Sequence, residues 1–171
     1  YYDDVVDFIL IKFILQQPQE IICHLLKNKY EIRDAVDGAC KFGHLKVVKY
    51  FMANIARCNF IKGMQNAAEN GHLEVMKFLR STGTEIGYIL MEKACENGHL
   101  EIVKYLHSTE NFNLTHEARN LAAKSGHLNI IMYFMANGAE HGGEAINLAI
   151  YNNHLEVVKY LYSLGARQTH R

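Results

Sequence analysis

The chain has 171 residues, 49% of them apolar and 21% charged, and its 18 Lys plus Arg balance 18 Asp plus Glu to a formal net charge of zero. That balance argues against nucleic-acid binding by phosphate neutralisation, which needs a basic excess, and the apolar share argues against a disordered chain. One proline and no tryptophan count against a long all-β chain with many proline turns and favour a mostly helical one.

The chain opens on Tyr1 rather than Met, as expected of a piece of a longer product. Its most apolar stretch, Val5 to Leu15, is interrupted by Asp7 and Lys12 and is shorter than the roughly 18–20 residues of a membrane span. It lacks the basic start and small-residue cleavage site of a signal peptide, so no membrane partner is expected. Cys23, Cys40, Cys58 and Cys95 form no C-x-x-C pair, which points to a reducing intracellular compartment.

From Gln17 onward the chain is organised by a repeat. An eroded copy, QPQEIICHLL from Gln17, lines up with the next at an offset of 26. Clear copies then read ACKFGHLKVVKYF at Gly43, AAENGHLEVMKFL at Gly71, ACENGHLEIVKYL at Gly98, AAKSGHLNIIMYF at Gly126 and AIYNNHLEVVKYL at Asn153. His44, His72, His99, His127 and His154 are separated by 28, 27, 28 and 27 residues. The expected organisation is one domain over 1–171: a degenerate repeat at 1–32, five clear repeats at 33–167 and a tail at 168–171.

Each unit reads as helix, tight corner, helix. Ala39, Ala67, Ala94, Ala122 and Ala149 stand four residues before the corners, followed by Cys40, Ala68, Cys95, Ala123 and Ile150. Small residues on one helix face let a neighbouring helix approach closely. The glycine then ends the helix in a left-handed conformation, and Asn153 substitutes for it as the residue that next best tolerates that geometry. In the second helix of the Gly98 copy, Leu100, Ile102, Val103, Tyr105 and Leu106 make one apolar face, with Glu101 and Lys104 outside and able to pair. No unit of this size buries its apolar face alone, so the units must stack into a solenoid.

These residues resemble the ankyrin repeat, through A-A/C-x-x-G-H-L-x-V/I-V and through the following Gly138-Ala139 and Gly165-Ala166. The GHLEVVKYL style is similar to the short arrays of giant DNA viruses, amoebae and oomycetes. The family's repeat is about 33 residues and opens with T-P-L-H. Here the opening tetrads are Asp34 to Asp37, Lys62 to Gln65, Ile89 to Glu92, Glu117 to Asn120 and Glu144 to Asn147, so the hydrogen bonds of that box do not carry over. Loss of the box also accounts for the scarcity of proline. The residues missing from the period fall where the family's β-hairpin fingers would be, as between Glu140 and Gly143, and a hairpin needs more chain than remains. The expected fold is therefore all-α, an ankyrin-type solenoid with short loops in place of fingers.

The resemblance implies a non-catalytic module that binds a partner protein on the concave face of the stack. It places Lys41 and Phe42, Glu69 and Asn70, Glu96 and Asn97, Lys124, and Tyr151 in the groove. Tyr30, Asn59, Phe60, Tyr88, Phe112 and His116, in the loops before the first helices, are further candidates, and their aromatics would dominate the binding energy. Alternative readings are a structural subunit of a larger assembly, viral or otherwise, and the substrate-recruiting part of a longer protein. The apolar Val5–Leu15 stretch and the apolar last repeat leave room for self-association or for covering by flanking chain. Equivalent histidines in a stack lie roughly 10 Å apart, too far to share a metal whose bonds to nitrogen are about 2 Å. By resemblance they tie each corner to neighbouring backbone. Cys40 and Cys95 read as small buried packers. Asn113-Leu114-Thr115 is a glycosylation sequon that an intracellular chain would not use. The chain shows no nucleotide-binding or nucleophile-elbow motif, and no enzyme activity, cofactor or metal is expected. The expected location is the cytoplasm (of the host, or the virion, if the chain is viral). In the Gly126 copy the outward Glu/Lys pair becomes Asn129 and Met132, which with Met135 would make a small apolar patch on the opposite side.

Overall fold

A computed structural model describes residues 29–54, 60–85, 87–140 and 143–166, with the side chains of 29–32 and 54 excepted. Most of the degenerate repeat expected at 1–32 and all of the tail at 168–171 lie outside these residues. The chain divides into two compact units, up to Ile86 and from Gly87. Among the described residues every regular element is a helix, as the short loops require.

The first unit holds α1 (Lys29–Lys41), α2 (Leu45–Asn54), α3 (Ile61–Glu69) and α4 (Leu73–Ser81). First helices α1 and α3 pack against each other, and each packs against its own second helix. Ala39, Cys40, Ala67 and Ala68 are fully buried between them, while Val47, Val48 and Phe51 of α2 and Val75, Met76 and Leu79 of α4 fill the second layer. A Cβ on Gly63 would stand 2.8 Å from Cys40 Sγ, so the larger residue in the small slot of one repeat is met by a glycine in the next. Burial raises the Cys40 thiol pKa to about 12, with Asp37 adding to the shift, and raises that of Cys95 as well, beside Glu92. Both thiols are inert packers, as their slots imply.

The second unit repeats the design with α5 (Ile89–Glu96), α6 (Leu100–Ser108), α7 (His116–Lys124), α8 (Leu128–Ala136), α9 (Gly143–Tyr151) and α10 (Leu155–Ser163). First helices α5, α7 and α9 pack in series, and second helices α6, α8 and α10 do the same behind them. The apolar face read for the Gly98 copy is buried through Ile102, Val103 and Leu106, with Leu100 and Tyr105 half-buried. The outward pairs form at Lys77–Glu74, Lys104–Glu101 and Lys159–Glu156, each at 2.8 Å. They are exposed and contribute little to stability. Thr115 of the sequon caps α7, its Oγ1 accepting the Ala118 N–H at 3.2 Å.

Every corner has the same hydrogen bonding. The histidine N–H donates to the carbonyl of the alanine five residues earlier, at 2.8–2.9 Å in all five copies. The left-handed residue before it has φ of 72°, 82°, 82° and 80° at Gly43, Gly71, Gly98 and Gly126, and 61° at Asn153. This is a Schellman ending, in which the third helical residue from the end accepts from the second residue past the cap. The alanine is thus fixed in register by the backbone and in size by the neighbouring helix. Glycine has a second reason to be there. A Cβ would lie 2.4 Å from His72 Nδ1 at Gly43, 2.6 Å from His127 Cε1 at Gly98 and 2.4 Å from His154 Nδ1 at Gly126. The imidazole of each following repeat lies in that space. His127 Nε2 also donates to Glu96 O at 3.0 Å, and His154 Nε2 to Lys124 O at 2.8 Å.

The lost T-P-L-H box is replaced by polar contacts between consecutive repeats. The last residue of one tetrad meets the first of the next: Asp37 Oδ2 is 3.2 Å from Lys62 Nζ, and Asn120 Nδ2 donates to Glu144 Oε2 at 2.8 Å. Arg119 occupies the slot that Val36, Met64, Met91 and Ile146 fill with apolar side chains. It is buried, with its Nε unpartnered, and its Nη1 donates to the carbonyl of Glu140. Burial lowers its pKa, opposed by Glu140 and Glu144.

Two measurements check these contacts. Gly138 has φ of 82° but nothing within 4 Å of a Cβ, so Gly138→Ala carries the backbone cost alone, about 1–2 kcal/mol. Gly126→Ala adds the clash with His154 and should cost a further 1–3 kcal/mol or so, read by denaturant unfolding. Asp37 supplies the second. Burial raises its pKa above 3.8, the Lys62 contact opposes this, and Asp34 adds to the rise. The folded state therefore takes up this proton before the unfolded state does, and the group's contribution to stability falls as pH rises through the raised pKa. With the buried, incompletely partnered carboxylate replaced by a neutral amide, Asp37→Asn should be more stable than the parent at pH 7. Thermal unfolding should show that advantage shrinking as pH drops towards 4.

Candidate functional site

In the first unit the residues before the corner are partly occupied with local work. Lys41 Nζ lies 5.4 Å from the centre of the Phe42 ring, and that ring is 6.3 Å from His44. Asn70 follows the last turn of α3 and turns its Nδ2 back to Asn66 O at 2.9 Å, adding a second donor to a carbonyl that already accepts the Asn70 backbone N–H at 3.1 Å. Glu69 is half-buried beside it. Phe60 corrects the expectation placed on it: it is 6% exposed, and its carbonyl receives the Met64 N–H at 2.8 Å. Its ring serves the core, where no partner can reach it. Asn59 and the side chain of Tyr30 lie outside the described residues.

The second unit brings more of the candidates together. Tyr88 is 71% exposed, and its ring centre is 5.2 Å from that of Phe112, tilted by 56°. The pair sits at the N-terminal ends of α5 and α7. At the opposite ends stand Glu96, 3.6 Å from Lys93, the exposed Lys124, and Tyr151, which is 88% exposed. Asn97 is drawn into capping like Asn70, its Nδ2 donating to Lys93 O at 2.9 Å. Between the two ends runs an open groove of about 510 Å³ lined by Glu92, His116, Glu117, Asn120, Leu121, Lys124, Glu144 and Leu148. His116 Nε2 is 3.0 Å from Glu117 Oε1, both side chains exposed.

Reading the two positions before each corner misses most of this groove. Glu117 and Glu144, and likewise Leu121 and Leu148, are each one period apart, and that phase is the signal that would have found them. On the other side of the unit Met132 is 47% exposed and Met135 half-buried.

The arrangement offers carboxylates, one lysine, exposed aromatics and a leucine floor, with which a polypeptide can be held. Among the described residues no three His, Cys, Asp or Glu side chains gather as a metal would need, and no helix is long and apolar enough to cross a membrane.

A family model of ankyrin repeats in three copies matches residues 64–139 and again 90–171, which together take in well over half of the chain. The copy at Gly43 precedes the match and has the same corner. The match is to the family at large and does not bear out an origin in giant DNA viruses, amoebae or oomycetes. No curated protein matches the chain. The corners, the stacked helix pairs and the matched spans agree: the chain belongs to the ankyrin repeat family, whose members generally act as protein–protein interaction modules and are typically non-catalytic.

Proposed function

We propose that the chain binds a partner protein on its first-helix side, the side that the family resemblance makes concave. The observation that carries this reading is the exposure of Tyr88, beside Phe112, at the N-terminal end of α5 and of Tyr151 at the C-terminal end of α9. Large aromatic side chains open to solvent are the usual anchors of an interface. Lys124 stands among Glu92, Glu117 and Glu144 over Leu121 and Leu148, so the groove favours a segment that offers a basic side chain to the carboxylates and an apolar one to the leucines. Lys41, Phe42, Glu69 and Asn70 are the corresponding contacts proposed for the first unit.

The apolar exposure of α9 and α10, at Ile150, Leu155 and Tyr162, favours a second reading as a subunit held to its neighbours by that end. The two readings separate in light scattering. The first gives a monomer across the micromolar range, and the second a mass that rises with concentration.

The groove reading is tested by quantitative pull-down. Tyr88→Ala and Tyr151→Ala should each lower capture of the proteins retained by the native chain at least about tenfold, as expected for an anchor worth more than about 1.4 kcal/mol. Met132→Ala, on the second-helix side, should leave capture unchanged. The reverse pattern would place the interface on the second helices.

A further inference from the structure

The corner at Asn153 differs from the others in a way that backbone conformation does not explain. Its φ of 61° is one that glycine adopts more readily, and glycine stands at the four other corners. At Gly43, Gly98 and Gly126 the imidazole of the following repeat occupies the place of a Cβ, with ring atoms 2.4–2.6 Å from it at closest. That ring cannot swing aside freely. At two of these corners its Nε2 is bonded to the carbonyl two residues before the glycine, Glu96 O or Lys124 O. Its own backbone N–H is held in the next Schellman ending. Asn153 carries a Cβ into the same space, beside Tyr151, whose carbonyl occupies the acceptor position.

We infer that Asn153 closes the repeat series: the α9/α10 face does not receive a further repeat through the histidine-over-glycine contact that joins the others. Any chain or partner that covers Leu155 and Tyr162 does so by other chemistry. This inference does not depend on the groove reading.

The test is to extend the stack. A second copy of residues 140–166 is inserted in phase between Ala166 and Arg167 of the full chain, once with Asn153 retained and once with Asn153→Gly. Each product is compared with its own unextended parent. Stability in repeat proteins is close to a sum of repeat and nearest-neighbour terms, so a docked repeat raises Tm, and one that hangs free does not. The expected result is a rise of at least about 3 °C on the Asn153→Gly background, the scale of one kcal/mol in a chain of this size. The Asn153 background should rise by less than a third of that, with backbone amides of the inserted copy exchanging rapidly. Equal rises on both backgrounds would show that the ring and the asparagine coexist. No rise on either would show that the glycine seat is not what admits a repeat. Both outcomes overturn the inference.

Discussion

The contact on which each stack depends is an imidazole lying on a glycine. A left-handed residue ends each first helix, and in three cases the absence of its side chain leaves the space into which the next repeat places its histidine. One residue thus satisfies two constraints, a local one set by φ and a non-local one set by the neighbouring repeat. The hydrogen bond from Nε2 to a carbonyl of the preceding repeat gives the contact direction. A solenoid cannot rely on one central core, so this short, repeated and stereochemically exact join is what makes consecutive helix pairs register.

Polar contacts between tetrads act beside it. Where a T-P-L-H box would have secured each first helix internally, Asp37 with Lys62 and Asn120 with Glu144 link one repeat to the next. These bonds are less protected than a box. Asp37 is a buried carboxylate whose pKa is raised despite its lysine, and Arg119 keeps a buried nitrogen unpartnered in a slot that is otherwise apolar. A repeat five or six residues shorter than the family's keeps its fold by moving polar work from within the repeat to the joins between repeats.

The fold was legible because its determinants are local and recur. Alanine, glycine and histidine at fixed offsets specify the corner, and the spacing of Ile102, Val103 and Leu106 specifies which face is buried. The proposed binding surface was legible only in part. Tyr88 and Tyr151 are large and exposed at the ends of first helices. Phe60 stands before α3 as Tyr88 stands before α5, yet its ring goes to the core. No pattern within the loop distinguishes the two cases. Asn70 and Asn97 were legible as polar and exposed, yet their amide nitrogens are drawn to helix carbonyls, a competition that composition does not reveal. The carboxylates of the groove come from three successive repeats, so they assemble only once the repeats are stacked.

The fit of Cys40 against Gly63 has a consequence for how such an array changes over generations. A bulkier residue in one unit is matched by a missing side chain in the unit beside it, at the expense of a helix-interior glycine worth about 1 kcal/mol against alanine. These two units are therefore matched as a pair. Shuffling them, as recombination between near-identical coding segments would do, separates Cys40 from Gly63 and leaves either a gap or a collision. Cys95, with Ala118 where Gly63 stands one repeat on, carries no such demand, so the near-uniform sequence hides an order that is fixed at one join and free at another.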